Sequence, residues 1–347
     1  MRRREFVRLS AGIVGGLGIP GVLDQPPRAR AADQPPGEPA KPLDESYLEL
    51  GLTGMAQAKG WFNAHWGAAV VAGYYLCKDN NLDRETVAGI QSQLDALLAV
   101  RKSQFASPPK ERSDKTLIDK VPQALQPAVE GGLRAHGHAV IFASLSVKAL
   151  RDVPQMAQPA LINSLCGLSR QIARKPPAKP GKPVDYADTQ EMIDATFDSL
   201  ARFKELLGYP SIRRPNFTHM TTHTEALMNL EKLGYEKLAR LGWAGHSVHI
   251  GEPVPSVDPK AKRQDTTVSL AQIMSNAFWE DEDKLAQWNQ SWHLSKNRNG
   301  DWIAAGHLFK VLYSYHRMVA RAKDEQQVRL CSKVLLERYF NPNVMGG

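Results

Sequence analysis

Cysteine is scarce in this sequence, and long apolar runs are missing from it. The three cysteines, Cys77, Cys166 and Cys331, stand far apart, and no C-x-x-C, haem-attachment or zinc-ribbon spacing occurs. A thioredoxin-like redox pair, covalent haem and a cysteine-held structural metal are thereby excluded. Each thiol lies in helix-like apolar text, so buried thiols are expected; one disulfide with a leftover thiol is the alternative in an oxidising compartment. No stretch of about 18 apolar residues exists, which excludes a polytopic membrane protein. Alternating polarity never persists beyond four residues, so strands are not supported. A G-x-S-x-G elbow, a P-loop, H-E-x-x-H and the E-x-x-H pairs of di-iron bundles are also missing. The glycine-rich run Gly15-Gly16-Leu17-Gly18 lies inside an N-terminal export segment and does not count. A hydrolase triad and a Rossmann cofactor site are disfavoured.

What is there begins at the N-terminus. Read from Arg3, the text Arg3-Arg4-Glu5-Phe6-Val7-Arg8 resembles a twin-arginine signal. A weakly apolar stretch follows over 9–23, interrupted by Gly15, Gly16, Gly18 and Pro20, and it is too short for a membrane span. Ala29-Arg30-Ala31 then supplies a small-x-small cleavage site. Residues 1–31 are therefore expected to be a twin-arginine signal peptide, with the export machinery as partner and a periplasmic or secreted destination. This segment carries half of the net charge of +8. The remainder is only mildly basic and holds no basic stripe interleaved with aromatics, so no nucleic-acid partner is expected.

Residues 32–45, rich in proline and charge, read as a disordered leader, and the text turns helical from Ser46. Helical spacing predicts helices over 56–78, 83–105, 117–151 with breaks at Pro122, Pro127 and Gly131-Gly132, 154–174, 188–207, 222–233, 235–250, 268–279, 281–296, 301–322 and 324–339. The stretch 175–183, dense in lysine and proline, reads as a solvated connector. The expected fold is all-α: a single helical domain over 46–347, an array of antiparallel helix pairs, curled or toroidal.

Histidine is where chemistry would live. All ten histidines fall after residue 31. His65 lies on a helix with Gly67, Ala68, Ala69, Ala72 and Gly73, where small side chains either let helices pack closely or leave a cavity. Of His136 and His138, two apart, the apolar stripe selects His138 for the core. His219 and His223 are four apart, but Thr222-His223-Thr224-Glu225 reads as a capping box. That places the helix start at Thr222 and leaves His219 outside it. His246 and His249 share a face beside Gly242 and Gly245. His307 and His316 are out of phase, and His293 sits off the tryptophan stripe Leu285-Trp288-Trp292. The candidate catalytic set is His65, His138, His223 and His249, converging from four helices on one pocket. Neutral imidazoles there would act as a general base or hold a first-row transition metal such as iron or zinc.

The order of these features resembles the questin oxidase-like family. The matching segments are Phe62-Asn63-Ala64-His65-Trp66, Ala135-His136-Gly137-His138, the run from Leu230 to Tyr235, and His246 with His249. The resemblance implies an oxygenase with a histidine-lined cavity, acting on a polycyclic aromatic small molecule. The sequence reading is thus an exported helical protein leaning towards an oxidoreductase with a small-molecule ligand. A non-catalytic helical scaffold or ligand-binding protein is the alternative.

Overall fold

The structure, a computed structural model, describes residues 43–80, 82, 84–181, 184–212, 215–264 and 302–339. Within them the chain forms twelve α-helices, five short 3₁₀ turns and no strand, so the fold is all-α. The export segment 1–31, the tryptophan stripe, His293 and the expected helices over 268–279 and 281–296 lie outside the described residues. No described helix is long and apolar enough to cross a membrane.

The first helices correct the sequence reading. Helix α1 (Ser46–Ala56) ends before Gly60, whose positive φ of 82° turns the chain. A 3₁₀ turn over Trp61–Ala64 then leads into α2 (His65–Asp79). The helix expected from residue 56 therefore starts at His65, because glycine admits a backbone the helix does not. Leu43, assigned to the leader, is buried. Helix α2 is buried along almost its whole length and packs against both α1 and α11 (Trp302–Val319). Its small residues serve close packing. A side chain on Gly67 would overlap the backbone of Gly51 and Met55 in α1, and one on Gly73 would meet Leu94 of α3 (Arg84–Val100) at 2.9 Å.

Two expected breaks are absent. Pro122 lies in the first turn of α4 (Lys120–Val129), where its missing N–H is not needed, and Pro127 lies inside that helix just before its end. The break at Gly131-Gly132 is present: both have positive φ. There Leu133 exchanges backbone hydrogen bonds of 2.7 and 2.8 Å with Ala178. The connector is thus stitched to the turn that precedes α5 (His138–Asp152), rather than simply solvated. Helices α6 (Pro159–Ala173) and α7 (Thr189–Arg202) follow.

Helix α8 (Phe217–Lys232) begins five residues before the expected Thr222. Thr222 donates to the Thr218 carbonyl inside the helix, and Glu225 pairs with Arg317 rather than capping. The expected helix over 235–250 divides into α9 (Glu236–Leu241) and α10 (Trp243–Ile250). Helix α12 (Glu325–Arg338) is capped by Asp324, which accepts from the N–H groups of Gln326 and Gln327. All three cysteines are buried free thiols.

Candidate functional site

His65 and His138 are both the first residue of a helix, and each is preceded by a 3₁₀ turn. That turn brings the carbonyl three residues back against the imidazole. His65 Nδ1 donates to the Phe62 carbonyl at 2.6 Å, and His138 Nδ1 donates to the Ala135 carbonyl. His219 repeats the pattern one helix over, donating from Nδ1 to Oδ1 of Asn216. A carbonyl oxygen only accepts, so each Nδ1 carries the proton and each Nε2 is left as a lone pair. All three Nε2 atoms are buried without a hydrogen-bond partner in the protein.

These rings meet. The ring centroids of His65 and His138 lie 4.4 Å apart, and those of His65 and His307 4.9 Å. His219 lies 4.8 Å from His138 and 5.4 Å from His307. Ligand atoms of His65, His138 and His307 all fall within 4.8 Å of one another. Burial holds the imidazoles of His65, His138 and His219 well below the usual histidine range; Lys310 adds to this at the first two. All three are therefore neutral at pH 7, the form that ligates metals.

The turn before α5 is strained. Ala135 and His136 have positive φ of 44° and 54°, followed by Gly137 at 81°; such backbone costs about 1–3 kcal/mol at each non-glycine position. His138 is buried, as the apolar stripe selected, while His136 stays exposed beside the cluster. Its ring stacks on His219 at 4.9 Å, so His219 sits between His136 and His138. Asn216 Nδ2 donates to His136 Nδ1 at 3.0 Å while Asn216 Oδ1 accepts from His219. One amide thus fixes the tautomers of two histidines.

A second group lies beyond the turn. His223 and His249 rings are 5.4 Å apart, and His246 is 6.4 Å from His223. His246 is fully engaged: Tyr186 donates to its Nδ1 at 2.7 Å, and its Nε2 lies 3.0 and 2.9 Å from the hydroxyls of Thr196 and Thr224. Those hydroxyls donate to the Met192 and Met220 carbonyls, so His246 Nε2 is the donor there. His223, by contrast, has neither ring nitrogen bonded. Burial pushes the imidazoles of His223 and His246 down to about 3.

Of the four expected histidines, His65 lies against His138 and His223 against His249, and His249 in turn interacts with His136 and His219 beside the first pair. Sequence reasoning missed His219 and His307. The first was set aside by the apparent capping box. The second sits among apolar residues of α11 with no neighbouring motif, and its partners lie far away in sequence. One crevice among the described residues has about 220 Å³ including its open mouth and is lined by Val129, Leu133, Val140 and four glycines. His223 is the one histidine on its wall.

No protein-family model, curated protein or solved structure matches the chain, so the resemblance to the questin oxidase-like family rests on the quoted segments alone.

Proposed function

We propose that this chain is an exported, metal-dependent oxidoreductase whose metal is held by His65, His138 and His307, with His219 as a fourth neighbour. One observation carries the reading: ligand atoms of His65, His138 and His307 lie within 4.8 Å of one another, and His65, His138 and the neighbouring His219 have Nδ1–H locked onto oxygen acceptors with bare, buried Nε2 atoms. That is how metal-bound histidines are oriented. Without an occupant, each buried lone pair costs about 1–3 kcal/mol. The donor set fits a first-row dication such as iron or zinc. His65, His138 and His307 would supply such an ion with neutral nitrogen ligands.

When bound, a redox-active ion such as iron would supply one-electron chemistry towards dioxygen or an organic substrate. The chain's own residues supply access and exclusion. Phe62 is 46% exposed, yet its ring lies 5.0 Å from that of His65. Trp61, half-buried beside it, lies 5.2 Å from the His138 ring. These two aromatics form an apolar rim between solvent and the histidines, suited to an aromatic small molecule. The twin-arginine signal agrees with this reading, since that route carries folded proteins with cofactors already inserted.

Elemental analysis and absorption spectra of the exported protein test the proposal. One equivalent of a transition metal is expected, lost in His65→Ala and His138→Ala. A folded, exported protein without stoichiometric metal would overturn it and leave a helical scaffold or a cofactor-independent enzyme.

A further inference from the structure

Lys310 is a buried amine, and none of the ion pairs among the described residues involves it. The residue is 2% exposed. Its Nζ lies 6.0 Å from the Phe142 ring centroid, and its charge acts on His65 and His138. That ring in turn lies 5.5 Å from both His65 and His138. Lys310 also stands one turn after His307 on α11, and i, i+3 residues share a helical face. Buried cations are ordinarily paired. The part-buried Lys148 shows the contrast, holding Asp79 at 2.8 Å and the Tyr313 hydroxyl at 2.9 Å.

The histidine cluster has the complementary deficit. His65, His138, His307 and His219 are neutral ligands, and no carboxylate belongs to the described triad. A dication there would be a buried, uncompensated charge with an ammonium close by. We propose that Lys310 is a carboxylation site: Nζ adds carbon dioxide to form a carbamate, the anionic group that this all-imidazole site lacks. The proposal rests on the metal-binding reading above. The Nζ lone pair attacks the carbon of carbon dioxide and an N–C bond forms. One C=O π pair moves onto oxygen, and one amine proton leaves for solvent. The products are a carbamate of charge −1 and a proton, with no net oxidation or reduction. The modification replaces a positive charge beside the histidines with a negative one.

Two features favour this chemistry over imine formation with a larger carbonyl compound. Carbon dioxide has three atoms and asks for little room, whereas organic ligands occupy pockets of about 300–1,000 Å³. Burial also pushes the Lys310 amine down to about 7, so much of it carries a free lone pair near neutrality.

The test uses the full chain loaded with zinc in ¹³C-bicarbonate, read by ¹³C NMR and by zinc content of the same sample. A carbamate resonance is expected in the wild type and not in Lys310→Met, whose apolar side chain keeps the core filled. Zinc affinity should fall at least tenfold in Lys310→Ala and recover partly with acetate. A zinc-loaded wild type without the resonance overturns the carbamate and leaves the metal reading standing. A resonance that persists in Lys310→Met overturns its assignment to this residue. A chain that holds no zinc even after refolding in its presence overturns both.

Discussion

Gly67 of α2 faces Gly51 of α1 so closely that a methyl group on Gly67 would overlap the Gly51 carbonyl oxygen. The obstacle is backbone on both sides, so no side chain can swing away. Gly67→Ala should therefore destabilise the fold by about 1–3 kcal/mol, as overpacking does. Urea unfolding checks this, and an unchanged midpoint would mean that the two helices are not in contact as described.

Asn216 offers a sharper probe of the site. Its amide orients both His136 and His219 while leaving the helix start of α8 uncapped. Asn216→Ala should lower metal affinity about 10–100-fold, the usual effect of losing an orienting partner. Competition with a chelator would measure it. A stability loss with unaltered affinity would show that Asn216 serves folding alone.

Acid should unfold the protein unusually early. Burial lowers the folded-state pKa of His65, His138, His219, His223 and His246, the last two to about 3. The unfolded chain takes up protons below about 6.5, while the folded chain does not. Stability is thus complete above that pH and falls as the pH drops towards 3. Each such imidazole contributes up to about 1.4 kcal/mol per pH unit. Urea midpoints at about pH 7.5 and about pH 5 should differ strongly; equal midpoints would mean that these rings are not buried neutral.

How much of this was readable beforehand follows from what each signal encodes. Apolar stripes report which face of a helix turns inward, and they correctly selected His65 and His138. They do not report what stands opposite, so the pairing of His65 with His307 was invisible. His219 was lost for a different reason. Thr222 and Glu225 have capping-box spacing, but tertiary partners claim both: Thr222 bonds within the helix and Glu225 turns to Arg317. The stacking of His136 on His219 depends on positive φ at two non-glycine residues, which no propensity favours.

Export is open to a direct test. Arg3→Lys combined with Arg4→Lys should block translocation and leave a precursor about 31 residues longer, the length of the expected signal peptide. Normal processing of the double variant would remove the twin-arginine reading, and with it the proposed periplasmic or secreted destination.

The clustered residues His65, His138, His219 and His307 are spaced roughly 70 to 90 residues apart along the chain. An ion shared among them would close three long loops at once, tying α2, α5, α8 and α11 together. Releasing it would require those helices to separate, so exchange with an external chelator would follow the opening rate of the fold rather than the dissociation constant of the site. Such a centre would be loaded once, as the chain folds, and then kept for the life of the molecule.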